Sequence, residues 1–180
     1  MAILPIRIYP DPVLREVCPR VTDFGGAALR KLARDMVETM HAAPGVGLAA
    51  PQVGLTVRLA VVDLTVGKEP EELRVLVNPE VLEPEGKEVE EEGCLSIPGL
   101  YFPVKRAQKV WAEGFDLDGH DVTIEAEELL ARVLQHEVDH VDGVLFIDRL
   151  DAEHRSQAMA AIRDQALGLA PPAPDPSRAL

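Results

Sequence analysis

The segment that most constrains this chain is Gln135-His136-Glu137-Val138-Asp139-His140, which contains the pattern H-E-x-x-H. The flanking residues have helical periodicity, and on an α-helix the two histidines lie one turn apart on the same side. Two imidazoles placed in this way can bind one metal ion, and Glu137 between them can move protons for a bound water. A catalytic site also needs a third protein ligand and an open position, so the third ligand decides the chemistry.

Length, charge and cysteine content narrow the class of protein. A chain of 180 residues indicates one domain with a substantial core. No apolar run is long enough for a membrane span, and we expect no secretory signal. The net charge of −13 argues against sequence-independent nucleic-acid binding, so we expect neither DNA nor membrane as a partner. Two cysteines, Cys18 and Cys94, are too few for a disulfide framework and favour a reducing, cytoplasmic location.

Hydrophobic spacing predicts a mixture of helices and strands. The predicted helices cover 27–41, the H-E-x-x-H segment and 151–167, and the predicted strands cover 57–64, 73–78 and 103–117. The Asp118-Gly119 pair favours a type I′ turn, which would pair residues 120–124 back as a hairpin. The Gly-punctuated segment 45–52 is predicted to be an ordered loop that another group approaches closely.

The helix that carries the motif is predicted to have one apolar and one polar side. The apolar stripe consists of Leu129, Val133, His136 and His140, and the polar side of Glu128, Arg132, Gln135 and Asp139. Three glutamates, Glu125, Glu127 and Glu128, are expected in its first turn, where the helix dipole favours negative charge. Gly143 is expected as its C-cap.

Candidates for the third metal ligand are few. The metzincin extension needs a later histidine, and Phe146 stands at that position. Glu153 and His154 are reachable but lie in a polar, surface-like segment. Cys94 is the better candidate, because a Gly-Cys-Leu-Ser turn interrupts a polar run there and a thiolate is a strong ligand for divalent metals. The acidic run that precedes it, Glu88, Glu90, Glu91 and Glu92, is interpreted as a solvated strand face.

With this ligand set, the chain resembles the peptide deformylases. Three stretches are similar to the three motifs of that family, in the same order: Gly45-Val46-Gly47-Leu48-Ala49-Ala50-Pro51-Gln52, Glu92-Gly93-Cys94-Leu95-Ser96 and Gln135-His136-Glu137-Val138-Asp139-His140. The opening at Tyr9-Pro10-Asp11-Pro12-Val13-Leu14 is similar too, so the likeness covers roughly residues 3–167. Each motif alone is ambiguous, but the combination is highly specific.

The resemblance implies a fold and an activity. The implied fold is a single α+β domain, in which the H-E-x-x-H helix packs among short, mainly antiparallel sheets, with further helices at the N-terminal and C-terminal ends. We expect the catalytic domain over 1–167 and a disordered, Pro-rich tail over 168–180. The implied activity removes the formyl group from the N-terminal formyl-methionine of new proteins. The implied partners are formyl-methionyl nascent peptides and the ribosome near its exit tunnel.

The resemblance also assigns roles to individual residues. The implied metal ligands are Cys94, His136 and His140, and Glu137 is the implied general base and acid. The side-chain amide of Gln52 and the backbone N–H of Leu95 would form the oxyanion hole. The peptide would lie as an added strand against Gly45, Val46, Gly47 and Gly93. The implied cofactor is one divalent metal ion, Fe²⁺ in the native enzyme, with Zn²⁺, Ni²⁺ or Co²⁺ as alternatives.

Two departures and two alternatives accompany this interpretation. Tyr101 stands where some deformylases carry a substrate-binding arginine, so that contact is not expected here. Deformylases that dock on ribosomes are thought to use a basic C-terminal helix, whereas here the basic and acidic residues balance: Arg149, Arg155 and Arg163 against Asp151, Glu153 and Asp164. The alternatives are a zinc peptidase of another class and a structural metal module, although the latter needs a fourth protein ligand and none lies near Cys94 in sequence.

Overall fold

Two antiparallel sheets and three α-helices form the fold in the computed structural model, which describes residues 2–169. The helices are α1 (Ala27–Ala42), α2 (Glu128–Val141) and α3 (Ala152–Ala166). The strands are β1 (Gly47–Ala49), β2 (Leu59–Val62), β3 (Arg74–Glu85), β4 (Glu88–Cys94), β5 (Ile97–Arg106), β6 (Lys109–Phe115) and β7 (Asp121–Glu127). The predicted α+β class is confirmed. The predicted tail falls almost entirely on residues 170–180, which lie outside the described residues.

The strands form one large and one small sheet. The larger has the order β1-β2-β3-β6-β7, and the smaller is the β4–β5 hairpin. Every pair is antiparallel, as expected for strands joined by short connections. Strand β1 therefore lies at one edge of the larger sheet. The segment predicted as an ordered loop, 45–52, contains this edge strand and the start of a short 3₁₀ helix, Ala50–Val53.

Helix α2 packs across the larger sheet and contacts each of its strands. Its side chains Ala131, Val133 and Leu134 share a buried cluster with sheet residues such as Val110. Burying a valine or leucine side chain stabilises the fold by about 1.5–3 kcal/mol. This packing holds the helix against the sheet and so determines where its two histidines point. In residues 2–169, no helix combines the length and apolar character needed to cross a membrane.

The start of α2 differs from the sequence prediction. The helix begins at Glu128, whereas Glu125 and Glu127 lie in β7, where Lys109 of β6 forms ion pairs with both. Cross-strand pairing therefore outweighs the preference of these glutamates for a helix N-terminus. Leu129, predicted on the apolar stripe, is 46% exposed because it lies in the first turn. The C-cap of α2 is Asp142, and Gly143, the predicted C-cap, is the next residue, with the left-handed φ of 72° that commonly follows a helix end.

The hairpin between β6 and β7 is confirmed, with Phe115 opposite Asp121, but its predicted type I′ turn is wrong. Within this turn only Gly119 has positive φ, at 87°, whereas a type I′ turn needs two such residues. The loop is wider than the prediction, because the backbone N–H of Asp116 donates to the carbonyl of His120. The Asp116 carboxylate also accepts from the backbone N–H groups of Asp118 and His120, which stabilises the wider form.

Candidate metal centre

Three metal-ligating side chains converge at one buried point. Helix α2 places the Nε2 atoms of His136 and His140 3.2 Å apart, and the end of β4 places Cys94 Sγ 3.2 Å from His140 Nε2. One ligand atom from each residue lies within 4.8 Å of the other two, and all three residues are buried. Among residues 2–169, no other group of three such side chains comes together in this way.

A tight turn after β4 orients the thiol. The β4–β5 register changes between Glu92 and Cys94, so that Cys94 lies opposite Ile97. The backbone N–H of Ser96 donates to Cys94 Sγ at 3.4 Å, and the side-chain amide of Gln52 donates to it at 3.5 Å. Both donors stabilise negative charge on sulfur, and the thiolate is the form that binds metals.

Glu92 holds the ring of His136 from behind. Its Oε1 lies 2.6 Å from His136 Nδ1, and the carboxylate accepts from Arg106 at 2.6 and 3.0 Å and from Arg132 at 3.1 Å. Burial opposes ionisation of Glu92, but His136 and Arg106 outweigh it and hold its pKa well below the ordinary value. An ionised Glu92 keeps a hydrogen on Nδ1, so the lone pair of neutral His136 lies on Nε2, toward Cys94 and His140.

The network continues to the protein surface. Arg106 donates to Asp139 at 2.5 Å, and Asp139 accepts from Arg149 at 2.5 and 3.1 Å. One prediction is therefore wrong, because Glu92 is not on a solvated face. Arg132 and Asp139, predicted on the polar side of the helix, are buried as well. The physical reason is that the β4–β5 hairpin covers this side of α2 and supplies the opposite charges.

The local charges favour a cation. Burial opposes protonation of His136, yet Cys94 and Glu92 outweigh it and raise its pKa well above the ordinary value. Burial lowers the pKa of His140 well below its ordinary value, so this ring stays a neutral donor. A thiol and two imidazoles are also a donor set that divalent zinc, iron, nickel and cobalt accept. The residues present therefore fit a metal ion.

Glu137, which follows His136 on α2, is buried and has one uncommitted oxygen. Its Oε2 atom is buried and has no hydrogen-bond partner among the described residues. Burial raises the pKa of Glu137 to about 7, which suits a group that both takes and returns a proton near neutral pH. A Cβ on Gly47 would overlap Oε1 of Glu137 and lie 2.9 Å from Val133 Cγ1, so only glycine fits at position 47.

The other predicted site residues surround the same point. Gln52 is 1% exposed, and its Oε1 accepts from the backbone N–H of Ala49 at 2.8 Å, which turns its NH₂ group toward Cys94. Leu95 follows Cys94 in the turn, and its Cδ1 would lie 2.8 Å from a Cβ on Gly45. Gln52 and Leu95 therefore flank the thiol.

The predicted peptide-binding residues lie on two strand edges and the loop before one of them. Gly47 belongs to β1 at the edge of the larger sheet, and Val46 precedes it. Gly93 belongs to β4, whose partner in the smaller sheet is β5. A Cβ on Gly93 would lie 2.5 Å from the Tyr101 ring, so the absence of a side chain permits this packing.

Two residues considered as alternative ligands lie away from the candidate metal centre, and two residues that support it were not predicted from the sequence. Glu153 and His154, the alternative third ligands, lie on α3, where His154 Nδ1 is 2.8 Å from Asp151. Arg106 and Arg132, which bind Glu92, were not predicted to support the site. The available signal was the position of Glu92, two residues before Cys94.

Comparisons with known proteins agree with this geometry. Residues 3–156 match the family model described as polypeptide deformylase. The peptide deformylase of Acidothermus cellulolyticus is 52% identical over 166 residues, which cover 91% of this chain and 88% of that protein. Peptide deformylase 1 of Clostridium perfringens is 48% identical over 148 residues, 82% of this chain and 98% of that protein.

Solved structures show the same likeness. The peptide deformylase from Legionella pneumophila superposes with a TM-score of 0.85 at 42% identity, covering 95% of this chain and 100% of that one. The enzyme from Thermus thermophilus gives a TM-score of 0.84 at 43% identity, covering 93% and 97%. This chain therefore belongs to the peptide deformylase family, enzymes that depend on a metal ion and remove the formyl group from N-terminal formyl-methionine.

Proposed function

We propose that Cys94, His136 and His140 hold one divalent metal ion and that deformylation takes place beside it. The observation that carries this proposal is the convergence of three buried donors within 4.8 Å, next to a buried carboxylate with a free oxygen. We propose Fe²⁺ as the native ion, with Zn²⁺, Ni²⁺ or Co²⁺ also accepted by this donor set. When bound, the ion supplies Lewis-acid activation of water and of the formyl carbonyl.

Glu137 moves the proton in this proposal. As a carboxylate it takes a proton from the attacking water, and as a carboxylic acid it returns that proton to the leaving amine. A pKa of about 7 makes both forms accessible near neutral pH. The carboxylate lies close to Gly47, and its Oε2 has no partner among the described residues, so it is available for the water.

Gln52 and Leu95 stabilise the charge that develops on the carbonyl oxygen. The Gln52 NH₂ group already faces the ligand atoms, and the backbone N–H of Leu95 is the second donor. By comparison with other oxyanion donors, each contributes about 2.7–4 kcal/mol to transition-state stabilisation. The Gln52 side chain needs no rearrangement, because Ala49 holds its amide in place in the free protein.

The nascent peptide binds as an added strand. Strand β1 is an edge strand, so an extended peptide can pair with the backbone near Val46 and Gly47, and the backbone of Gly45 and Gly93 contacts the same peptide. The carbonyl carbon of a formyl group carries only a hydrogen atom, so it fits into a small space between Glu137, Gln52 and Leu95. An acetyl methyl group would crowd it, so we propose selectivity for formyl over acetyl.

We also propose that the enzyme acts in the cytoplasm on chains that leave the ribosomal exit tunnel. The support is the substrate class, because formyl-methionine stands at the N-terminus of new chains. Charge on α3 does not favour strong docking to RNA, since Arg155 and Arg163 are balanced by Glu153 and Asp164. We therefore expect any ribosome contact through α3 to be weak and transient.

A substrate comparison tests the proposed function. Protein purified without oxygen and loaded with Fe²⁺ or Ni²⁺ is assayed on formyl-Met-Ala, acetyl-Met-Ala and an unmodified peptide with internal Met-Ala bonds. We expect formate release from the first peptide and little reaction with the other two. Faster cleavage of internal peptide bonds than of the formyl group would contradict the proposal and support the zinc-peptidase alternative.

A further inference from the structure

A second cavity lies on a different face of α2 from the candidate metal centre. Its volume is about 710 Å³, within the range of small-molecule sites, and none of the proposed metal ligands lines it. It is bounded by β3, the β4–β5 hairpin, the α2 residues Gln135, Val138 and Asp139, and Asp142 directly after the helix. We propose that this cavity, called the rear cavity below, binds a phosphorylated small organic molecule.

The charge balance of the rear cavity is positive, although the chain carries a net charge of −13. Its cationic lining residues are Arg58, Lys87, Lys105, Arg106 and Arg149, and its acidic ones are Glu80, Asp139 and Asp142. Each carboxylate already has an arginine partner: Glu80 pairs with Arg20, Asp139 with Arg106 and Arg149, and Asp142 with Arg58. The cations therefore exceed the carboxylates, and the carboxylates are already neutralised.

The ammonium groups of two lysines in the lining are uncommitted. Within residues 2–169, the side-chain ammonium groups of Lys87 and Lys105 have no hydrogen-bond or ion-pair partner, and both residues line the rear cavity. Both lysines are exposed, so their ammonium groups are free to bind an acceptor that enters the cavity. Phosphate oxygens are strong acceptors for arginine and lysine.

The remaining lining favours an organic phosphate over an inorganic ion or a nucleic acid. Val81, Leu82, Pro84 and Val138 provide an apolar wall, and Leu82 is 37% exposed there. A single phosphate ion would leave this wall and most of the volume unused. A long nucleic acid would meet the repulsion of a strongly acidic protein outside the cavity. A compact molecule with one or two phosphate groups and an apolar or aromatic body matches both the cationic lining and the apolar wall.

Two lysine substitutions test the rear cavity without disturbing the metal centre. Arg106 is left intact, because it holds Glu92 behind His136. The probes are ADP, pyrophosphate and adenosine, titrated calorimetrically into the metal-loaded protein. We expect ADP to bind with a Kd in the millimolar range or below, pyrophosphate to bind more weakly and adenosine to give no signal. The double variant Lys87→Ala/Lys105→Ala should weaken ADP binding by about tenfold or more.

The matched control is Lys68→Ala, which removes an exposed lysine that does not line the cavity and should leave ADP affinity unchanged. Backbone amide shifts provide a second measurement, and ADP should perturb residues 84–87 and 105–107. ADP affinity that survives the double substitution would place the ligand elsewhere, for example on the metal ion, and would overturn the proposal. Absence of ADP binding, or binding of an RNA oligonucleotide alone, would overturn it as well.

Discussion

The Nδ1 atom of His136 lies 2.6 Å from Oε1 of Glu92, a carboxylate with no exposed surface. The two residues are 44 positions apart in sequence and meet only because the β4–β5 hairpin packs against α2. Arg106 and Arg132 fix the carboxylate, so the imidazole has one orientation and one preferred tautomer. Glu92 therefore orients the His136 ring, and we expect it to influence metal binding through that ring.

Glu92→Gln should weaken metal binding by about 10–100-fold, the range for partners that orient a metal-bound histidine. The amide cannot accept from His136 and neutralise Arg106 at the same time, so the ring loses its fixed orientation. The measurement is competition with a chelator, together with the absorption spectrum of the Co²⁺ form. The control is Glu88→Gln, because Glu88 contacts Arg132 but not the histidine. Unchanged affinity and spectrum in Glu92→Gln would refute the positioning role.

Cys94→Ala should lose the metal and the activity, whereas Cys18→Ala should keep both. Cys18 is buried beside Ala49 and Val141, and burial raises the pKa of its thiol to about 11, so it stays protonated and packs as a small apolar side chain. Metal content of the two purified variants decides the question. A fully metallated Cys94→Ala protein would show that the thiol is not a ligand.

Glu137→Gln should bind metal normally and lose at least ~10²-fold in turnover of formyl-Met peptides, the lower end of general acid–base contributions. The amide keeps the shape of the side chain and removes no ligand, but it cannot carry the proton. Metal content and kcat are measured on the same preparation. Near-normal turnover with metal bound would assign the proton transfer to another group.

Gly47→Ala should reduce turnover without removing the metal. A Cβ at this position would overlap Glu137 Oε1, so the carboxylate has to move away from the water that it activates. The control is Gly26→Ala, where a Cβ has nothing within 4 Å and the backbone has no positive φ. Both variants are assayed for metal content and kcat. Equal activity of the two variants would show that position 47 does not control the placement of the Glu137 carboxylate.

Asp63→Asn should destabilise the protein by about 2 kcal/mol at pH 7, with a loss that shrinks in acid. Burial opposes ionisation of Asp63, but hydrogen bonds from Thr65, Gly67 and His41 outweigh the effect of burial and lower the pKa of Asp63 to about 2. The unfolded-state pKa is close to 3.8, so the carboxylate's contribution is complete above that value. As the pH falls from about 4 toward 2, the contribution disappears. Urea unfolding of both proteins between pH 3 and 7 measures the difference, and a constant difference would contradict this account.

Local sequence patterns determined two of the helices, the placement of the two histidines and the family. Helical periodicity predicted α1 and α3 to within one residue at each end, and the predicted C-cap, Gly143, lies one residue after the observed one, Asp142. The H-E-x-x-H spacing placed two imidazoles on one side of a helix, because that geometry depends only on residues four positions apart. The combination of motifs indicated the family, which the comparisons confirm. The roles assigned to Gln52 and Leu95 stay predictions.

Tertiary structure decided what surrounds the site. An acidic strand is polar in sequence whether its side chains face water or buried arginines, so the burial of Glu92 could not be predicted from its own segment. Its partners Arg106 and Arg132 lie 14 and 40 positions away, and only chain packing brings them together. Chain packing also places Gly47 beside Glu137 and forms the rear cavity from separate segments. Hydrophobic patterning sets which face of an element is apolar, but burial of a charge depends on opposite charges that other elements supply.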